Sequence, residues 1–433
     1  MEKCYKISIL TLGCRVNQYE SDYIAKELEK IGACVVPFSR GCDAYIINTC
    51  TVTGESDRKS RQIIRRCVKA NPEAIIVVTG CYSQVNKSEV EKICGVSLVC
   101  DSNSKSQIPR LVMELLNNQA PTYNMTPCEE FDKICVGVSP TRTRAFVKIE
   151  DGCNSKCAYC IIPTARGKVR SAPMENIISE LTQIAKSGCY EVVLTGIETA
   201  AYGKDLKNGE TLSTLLCRAN KIEGIERIRL GSLDPSSITK EFVDSIKGLD
   251  KVMPHFHLSM QSGCTKTLNE MKRKYSIEMA KSNIDYLKSQ IDGVMLSCDI
   301  ITGFPNESDE DFESTYNFFK NEKFLHLHIF PYSKRKGTLA YDMPNQVDER
   351  IKKERLYRLK ELEKEIKLSL LSDFISKNSE GVVLFENNQE GYACGHLPNF
   401  MEVKMKASES LQGQLVRVKL ISTDGNYIYA EKI

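Results

Sequence analysis

The sequence lacks the features of membrane and secreted proteins. None of its apolar runs approaches the roughly 18 residues that a membrane-spanning helix needs, so we expect no membrane segment. The opening stretch, MEKCYKISIL, has no long apolar run and no small-residue cleavage site, which predicts a cytoplasmic protein without a secretory signal. The net charge is only +3, and this near balance permits an anionic partner without predicting one.

Histidine is also scarce, whereas cysteine is abundant. The chain has 5 His and 19 Cys, a ratio that disfavours a mixed Cys/His zinc protein. An odd number of cysteines in a long cytoplasmic chain argues against a disulfide framework and for reduced thiols, some of them metal ligands. No Ser/His/Asp set for nucleophilic catalysis is visible, and we assign no side chain as a general acid or base. The search for chemistry therefore begins with the cysteines.

The first part of the chain, residues 1–117, alternates apolar strands with amphipathic helices. Buried-strand runs occupy 6–12, 44–48 and 74–80, and helical patterns occupy 19–31 and 55–70. Strand–helix–strand order at this spacing predicts a parallel α/β sheet covered by helices. A polar stretch at 117–127 ends this unit.

Two further units follow. Residues 139–370 hold six strand-like runs separated by helical stretches, which predicts a partial or complete β/α barrel, with a doubly wound sheet as the alternative. The runs are 144–150, 190–196, 226–232, 255–261, 294–303 and 324–332. A charged helix over 347–377 is expected to be a solvated connector. Residues 372–433 hold five short strands punctuated by Gly, Asn and Asp, which is typical of a small closed β-barrel.

Three cysteines form a compact array in the segment DGCNSKCAYC. Cys153, Cys157 and Cys160 follow the first strand of the predicted barrel, at the end where barrel enzymes build their active sites. Three thiolates are one too few for a closed structural zinc site, which requires four ligands. On a four-iron cluster they leave one iron free to bind a further ligand. This spacing, with Tyr159 before the last cysteine, resembles the radical S-adenosylmethionine superfamily, in which the open iron binds S-adenosylmethionine.

A second set of cysteines is spread along the first unit. Cys14, Cys50 and Cys81 each come directly after one of its buried strands. Because the carboxyl ends of parallel strands share one edge, these thiols can converge on a second metal site, although buried structural thiols are the alternative. Cys34 lies inside an apolar run and is expected to be buried. Cys100 also ends a strand-like run and stays an open candidate for the second set.

Longer motifs resemble those of the radical methylthiotransferases along nearly the whole chain. In the first unit they are TLGCRVNQYES, NTCTVTGESDRKSRQ and TGCYSQ. In the second they are VKIEDGCNSKCAYCIIPTARGKVRS, SLDP, HLSMQSG, DIITGFPNESDEDF and PYSKRKGT. The last unit resembles the TRAM module that ends these proteins. RVNQ after Cys14, together with SLDP, is most similar to the branch that acts on threonylcarbamoyladenosine in tRNA. Sister branches act on isopentenyladenosine in tRNA and on a ribosomal-protein aspartate.

The resemblance implies S-adenosylmethionine and two [4Fe–4S] clusters as cofactors. The radical cluster would be held by Cys153, Cys157 and Cys160, and an auxiliary cluster by Cys14, Cys50 and Cys81. In the family, one S-adenosylmethionine methylates a sulfide on the auxiliary cluster. A second is cleaved to a 5′-deoxyadenosyl radical that removes hydrogen from C2 of the adenine.

The implied substrate is threonylcarbamoyladenosine at tRNA position 37, next to the anticodon on its 3′ side. The implied partners besides tRNA are an external electron donor and a sulfur source. The same chemistry on a sister-branch substrate is one rival interpretation. The rival from another class is a non-catalytic iron–sulfur protein that binds RNA or senses redox state.

Four residues are candidates for contact with S-adenosylmethionine. Gly196, Ser232 and Gln261 follow or end barrel strands, and Tyr159 stands inside the cysteine loop. For Gly196, a glycine that merely ends a strand is the alternative.

Basic residues gather beside the predicted strand-end loops. Arg166, Arg170, Lys334 and Arg335 are predicted to bind tRNA, with plain solvation as the alternative. Lys334 and Arg335 are also candidates to pair with the carboxylate of the substrate, because a buried unpaired carboxylate is costly. The last unit has no excess of basic residues, and its aromatic side chains are expected to lie in its core, so its RNA role depends on the resemblance alone.

Overall fold

The structure is a computed structural model that describes residues 4–125, 130–138 and 142–433. The unit boundary expected at residue 139 and the end of the polar stretch 117–127 lie outside the described residues. Among the described residues, no helix is both long and apolar enough to cross a membrane. The fold is α/β, with an N-terminal sheet, a middle barrel and a small C-terminal barrel.

The N-terminal unit is a five-stranded parallel sheet with helices on both faces. Its strands are β1 (Lys6–Thr11), β2 (Cys34–Val35), β3 (Ala44–Thr49), β4 (Ile75–Gly80) and β5 (Leu98–Val99). Its helices are α1 (Arg15–Lys30), α2 (Gly54–Ala70), α3 (Cys81–Val85), α4 (Lys87–Glu91) and α5 (Ile108–Leu116). The strand order is β2-β1-β3-β4-β5, all parallel. The central strand β3 is buried along its whole length because both faces are covered, which explains its unbroken apolar sequence.

Cys34 is not the buried thiol that its apolar run suggests. It begins the short edge strand β2, its side chain is exposed, and it forms a disulfide with Cys4 across a Cα–Cα distance of 6.2 Å. The pairing arises because β2 lies beside β1 in a register that places Cys34 opposite Lys6, two residues after Cys4. The expectation of a reduced, buried Cys34 is therefore wrong, whereas Cys67 is a buried free thiol.

The middle unit is an open barrel. Its strands are β6 (Arg144–Lys148), β7 (Glu150–Asp151), β8 (Arg170–Ser171), β9 (Glu191–Thr195), β10 (Arg227–Leu230), β11 (His255–Gln261), β12 (Met295–Thr302) and β13 (His326–Pro331). Its helices are α6 (Ile162–Arg166), α7 (Met174–Lys186), α8 (Leu212–Ala219), α9 (Lys240–Ile246), α10 (Thr265–Glu270), α11 (Ile277–Gln290) and α12 (Asp309–Glu322).

The order of the long strands decides the topology of this unit. β6, β9 and β10 form one parallel sheet, and β11, β12 and β13 form another. Parallel bridges from Ile228 to Val252 and from Leu233 to Leu258 join the two sheets. Six strands in chain order form the wall of a barrel, whereas a doubly wound sheet reverses its order at a switch point. The barrel prediction is confirmed.

The long charged helix α13 (Glu349–Lys377) is not a solvated connector. Leu359, Leu362 and Ile366 belong to the hydrophobic core of the middle barrel, and Leu371 belongs to that of the C-terminal barrel. The solvated interpretation is wrong because these apolar residues recur at a spacing of three or four and form one buried stripe. The helix therefore joins two cores.

The C-terminal unit is a closed five-stranded barrel, as predicted. Its strands are β14 (Glu380–Gln389), β15 (Tyr392–His396), β16 (Glu402–Lys406), β17 (Leu415–Thr423) and β18 (Ile428–Lys432), in the order β14-β15-β16-β18-β17. Phe385 is fully buried in its core. Tyr392, Tyr427 and Tyr429 are only half-buried and lie outside the core cluster, which corrects the expectation for these three rings.

The N-terminal unit spans the gap between the two edge strands of the middle barrel. On one side, Lys148 of β6 donates a hydrogen bond to Glu20 of α1 at 3.0 Å. On the other side, the backbone N–H of Gly54, where α2 begins, donates to the Ser333 hydroxyl just after β13, at 2.9 Å. The N-terminal unit thus closes the open side of the barrel.

The C-terminal unit lies under the opposite end of the same barrel. Arg227, the first residue of β10, donates hydrogen bonds to the backbone carbonyls of His396 and Val382 at 3.0 and 2.7 Å. Arg144, the first residue of β6, forms an ion pair with Glu386 at 2.7 Å. Because these residues begin their strands, the C-terminal unit covers the N-terminal end of the barrel.

Candidate functional site

The compact cysteine loop follows β6 and β7 at the C-terminal end of the barrel. Gly152, which opens the loop, has a φ of +86°, and a Cβ there would lie 2.0 Å from the carbonyl oxygen of Lys168. Only glycine allows two backbones to pass this closely. The N–H of Cys153 then donates to the carbonyl of Gly167 at 3.0 Å, which ties the loop to the segment after α6.

The thiols of this loop are partly exposed and have a cation beside them. Arg273 donates a hydrogen bond from Nη1 to Cys157 Sγ at 3.3 Å and from Nη2 to Asp234 at 2.8 Å. Burial raises the pKa of the Cys160 thiol to about 12, so a thiolate there needs a bound metal or a nearby positive charge. Arg273 supplies such a charge. Arg273 could not be singled out from the sequence, because it stands in an ordinary basic run, MKRKYS.

Cys14, Cys50 and Cys81 come together at the carboxyl edge of the N-terminal sheet, as predicted from their positions after β1, β3 and β4. A Cβ placed on Gly13 would lie 3.0 Å from Cys50 Sγ, so Cys50 packs against the residue that precedes Cys14. Burial raises the pKa of the Cys14 thiol to about 11, and the neighbouring thiols of Cys81 and Cys50 add to this shift. The three side chains therefore share one electrostatic environment.

Another glycine places Cys81 in this group. Gly80 ends β4 with a φ of +99°, and a Cβ there would lie 2.4 Å from the carbonyl oxygen of Thr49. Only glycine fits this contact, which turns the chain directly from β4 into α3. Cys100, the open candidate, is fully buried in an apolar cluster with Ile7 and Ile108 and does not join the group.

Neither set of thiols forms a cage for a single ion. Among the described residues, no three His, Cys, Asp or Glu side chains surround one point closely enough to hold one metal ion. A mononuclear zinc site requires such convergence. A four-iron cluster binds each thiolate at a different iron, so its ligands stay apart. The described residues therefore offer no preformed site for a single ion.

Arg166 links the segment after the compact loop to the second cysteine set. It ends α6, just after the compact loop, and its side chain is fully buried, with 0% exposed. Its Nε donates to Cys81 Sγ at 3.2 Å, and its Nη atoms donate to Glu20, Asp151 and Asn17. One guanidinium thus touches a thiol of the first unit while it extends from the loop of the second.

A network of buried charges surrounds this guanidinium. Glu20 lies 3.0 Å from Lys148 and 3.6 Å from Lys105, and Lys148 lies 2.6 Å from Asp151. Burial alone would raise the pKa of Glu20, but Arg166, Lys105 and Lys148 outweigh it and hold that pKa well below its ordinary value. With Arg170, which lies 3.8 Å from Asp151, four cations thus face two carboxylates. The excess positive charge lies beside Cys81 and suits an anionic thiolate cluster.

Three of the four predicted tRNA contacts are wrong. Arg166 is buried in the network above. Arg170 is buried and donates to two backbone carbonyls and to Asn103. Arg335 is buried against Asp57 at 2.5 Å and donates to Thr51. Each guanidinium is occupied by partners inside the protein, so none can form the rim that binds phosphates. Lys334 is exposed and stays a prediction.

Acidic side chains that the sequence analysis missed lie beside the compact loop. A Cβ on Gly196 would lie 2.4 Å from Glu150 Oε2, and the same oxygen accepts the N–H of Glu198 at 2.9 Å. Glu150 Oε1 is buried and has no hydrogen-bond partner among the described residues. Burial and the charge of Asp234 raise the pKa of Glu198 to about 7. Gly196 therefore lets Glu150 and Glu198 approach each other. In the sequence, the position of Gly196 two residues before Glu198 was the signal that could have pointed to this acidic pair.

The other predicted cofactor contacts lie at the same end of the barrel. Tyr159 packs against an apolar cluster that includes Ala158 and Phe304. Ser232 comes two residues after the end of β10. Gln261 ends β11 with a positive φ of +66°. Their contact with S-adenosylmethionine stays a prediction.

Comparison with known families divides the chain in the same way. The model of the radical SAM superfamily matches residues 147–319, and the model of the uncharacterized protein family UPF0004 matches residues 6–101. The first range covers the compact loop and most of the middle barrel. The second covers the sheet that carries Cys14, Cys50 and Cys81.

Several curated proteins are similar along nearly their whole length. The threonylcarbamoyladenosine tRNA methylthiotransferase MtaB of Bacillus subtilis is 37% identical, over 97% of this chain and 95% of its own. The protein of the same name from Aquifex aeolicus is 38% identical, over 95% and 99%. The tRNA-2-methylthio-N(6)-dimethylallyladenosine synthase of Caldicellulosiruptor saccharolyticus is 34% identical, over 98% and 92%.

A solved structure shares the fold. The radical S-adenosylmethionine methyltransferase TsrM from Kitasatospora setae superposes with a TM-score of 0.57, over 75% of this chain and 72% of its own, at 14% identity. Similarity at this identity concerns the fold alone.

Proposed function

The chain belongs to the radical S-adenosylmethionine methylthiotransferase family, and we propose that it adds a methylthio group to C2 of N6-threonylcarbamoyladenosine at position 37 of tRNA. The observation that carries this proposal is the hydrogen bond to Cys81 from Arg166, which ends the helix just after the compact cysteine loop. The relatives named for threonylcarbamoyladenosine are 33–38% identical, and those named for dimethylallyladenosine are 33–35% identical, so the two highest identities belong to the first group.

The family implies a [4Fe–4S] cluster and S-adenosylmethionine, and the compact loop fits both. Cys153, Cys157 and Cys160 leave one iron open, and Arg273 donates to a thiol of the set. The unpartnered oxygen of buried Glu150 suits the ammonium group of the cofactor. When bound, the cluster supplies the electron for reductive cleavage of S-adenosylmethionine, and the buried barrel wall keeps water away.

We assign a second [4Fe–4S] cluster to Cys14, Cys50 and Cys81. The environment of these thiols supports this assignment, because Arg166 donates to Cys81 and two buried lysines lie within the same charge network. Hydrogen bonds and positive charge near sulfur stabilise an anionic cluster.

The tRNA would lie across an exposed basic rim near the C-terminal end of the barrel. Helix α2 carries exposed cations, and its start contacts the segment after β13 that carries two more. These exposed residues are Arg58, Lys59, Arg65, Arg66, Lys334 and Lys336. Clustered cations beside the site supply the sequence-independent part of RNA affinity.

The C-terminal barrel offers a second surface for RNA. Tyr392 and Tyr429 lie edge to face at 6.2 Å on its outer side, and Lys404 Nζ lies 3.7 Å from the ring centre of Tyr427. Aromatic rings with an adjacent cation suit unpaired bases such as those of an anticodon loop. The reaction also requires an electron donor and a sulfur source.

The proposal is tested on the tRNA of cells with and without the protein. Loss of the 2-methylthio derivative, with accumulation of threonylcarbamoyladenosine, is the expected result of nucleoside mass spectrometry. Loss of the methylthio derivative of isopentenyladenosine would assign the sister substrate instead. An unchanged nucleoside profile would leave tRNA methylthiolation without support.

A further inference from the structure

The threonylcarbamoyl group carries a carboxylate, and the site must hold a cation that pairs with it. Arg335, the expected cation, is already paired with Asp57. Lys334, the other candidate, is exposed with its Nζ 4.6 Å from the ring centre of Tyr341, and a positive group inside the barrel is the alternative to it. The inference below rests on the proposed substrate and identifies where that group lies.

The lumen of the middle barrel is polar along the first half of its strands. Alternate residues of each strand, such as Val192, Ile228 and Phe256, face the hydrophobic core under the helices. The residues between them face the lumen, where β/α barrels usually place branched apolar side chains. By this alternation, the lumen residues of the first half are Arg144, Glu191, Arg227, Arg229, His255, His257, Ser297, Asp299, His326 and His328. Such a lining suits a polar ligand.

The floor of this lumen is closed by the C-terminal unit. Phe400 stacks between His255 and His396, at centroid distances of 4.7 and 4.4 Å. The guanidinium groups of Arg144 and Arg229 lie 5.4 and 4.9 Å from the centre of the same ring. Phe400 has a φ of +72°, a strained value for a bulky residue, which its contacts on all sides hold in place. The lumen is thus a blind pocket below the cysteine loop.

Most charged groups in the lumen are already paired. Arg229 donates to Glu191 at 2.8 Å, and His257 lies 3.2 Å from Asp299. Arg15 is different. Its side chain is exposed although protein surrounds it, and among the described residues no hydrogen bond or ion pair occupies its guanidinium.

Arg15 lies where the N-terminal unit meets the lumen. It begins α1, the helix that packs along β6 and closes the open side of the barrel, and it directly follows Cys14. Its charge acts on Arg144, Glu191, Arg229 and Asp299, which belong to four different strands around the lumen. Together with its exposure and its position at the start of a helix that packs on β6, these interactions indicate that Arg15 borders the lumen.

We propose that this blind lumen receives the threonylcarbamoyl substituent and that Arg15 pairs with its carboxylate. His328, exposed on β13 without a hydrogen-bond partner among the described residues, faces the same space and can bind the hydroxyl group. Because Arg15 directly follows Cys14, the residue that recognises the substituent is adjacent in the chain to a member of the second cysteine set. An apolar isopentenyl group would leave Arg15 unpaired in this pocket.

The test compares the binding of two tRNAs to the reconstituted enzyme. One carries threonylcarbamoyladenosine at position 37, and the other is the same tRNA with unmodified adenosine. Wild-type protein should favour the modified tRNA, and Arg15→Gln should reduce this preference by about ten- to hundredfold, the range expected for a charged hydrogen bond. Arg15→Lys should retain part of it. Arg65→Gln, which removes an exposed cation of α2, should weaken the binding of both tRNAs alike.

Two further measurements keep the outcomes distinct. The affinity of Arg15→Gln for S-adenosylmethionine should equal that of the wild-type protein. A lower affinity for S-adenosylmethionine with an intact tRNA preference would mean that Arg15 binds the carboxylate of the cofactor. That result would overturn the proposal. If Arg15→Gln loses iron, His328→Phe is the deciding variant, because no cysteine is adjacent to His328 in the sequence. An unchanged preference for the modified tRNA in His328→Phe contradicts the lumen site. Failure of the proposed function would give a different result: the wild-type protein would act only on tRNA that carries isopentenyladenosine.

Discussion

Arg166 offers the most direct test of how the two cysteine sets are joined. Replacing it by Gln removes every hydrogen bond between the loop of the middle barrel and the thiol of Cys81. It also removes the strongest partner of Glu20, a carboxylate that is fully buried. The change therefore perturbs the contact between the N-terminal unit and the barrel, without adding volume.

The structure sets the size of the effect. Loss of one partner from a buried ion pair costs about 3–5 kcal/mol, because the other charge stays buried. Glu20 keeps Lys148 at 3.0 Å and Lys105 at 3.6 Å, so we expect a cost near the lower limit, about 3 kcal/mol. Replacing Glu20 as well should recover part of this cost, because no carboxylate then lacks the hydrogen bonds of Arg166. The double variant Glu20→Gln/Arg166→Gln should thus show a coupling of at least about 1 kcal/mol.

Native-state hydrogen exchange of α1 measures this cost, because it reports the opening free energy of that helix alone. The control is Arg218→Gln, which breaks an exposed pair with Glu175 and should leave α1 unchanged. If Arg166→Gln affects α1 no more than the control does, or if the two network variants are additive, the network does not join the units.

Three further predictions follow from the same contacts. Replacing all three cysteines of one set by Ala should halve the bound iron and leave the cluster of the other set in place. Iron analysis checks this in two triple variants, one at Cys153, Cys157 and Cys160 and one at Cys14, Cys50 and Cys81. Removing the chain after Lys377 should lower the melting temperature of the middle barrel, since Arg227 loses its carbonyl acceptors; equal melting would contradict the floor contacts. Burial and Asp234 raise the pKa of Glu198 to about 7 from an ordinary 4.5, so folding favours its protonated form and its contribution to stability falls as pH rises between these values. Glu198→Gln should flatten that part of the stability curve in protein free of S-adenosylmethionine, and an unchanged slope would contradict the shift.

Much of the fold was readable because its signals are local. Each strand of the parallel sheet is a short apolar run, and a cysteine that follows such a run lies at the carboxyl edge whatever the rest of the chain does. This is why Cys14, Cys50 and Cys81 could be grouped across wide spacings. The role of α13 was also readable, since Leu359, Leu362 and Ile366 form a stripe, but the surrounding charges obscured it.

The charged residues could not be assigned in the same way. Arg335 pairs with Asp57, a residue 278 positions away, and Arg166 pairs with Glu20, 146 positions away. A buried arginine and an exposed one look alike in a sequence, because the difference depends on which unit docks against it. The proposed lumen site shows the same limit: the sequence pointed to Lys334 and Arg335, whereas Arg15 became a candidate only because α1 docks beside the barrel.

The central claim is methylthiolation of threonylcarbamoyladenosine, and one reconstitution tests it most directly. Protein loaded with iron and sulfide is incubated with S-adenosylmethionine, a reductant and either of two tRNAs, one with threonylcarbamoyladenosine and one with isopentenyladenosine at position 37. Mass spectrometry of the nucleosides should show a new methylthio product from the first tRNA and little from the second. A product from the second tRNA alone, or from neither, would contradict the claim.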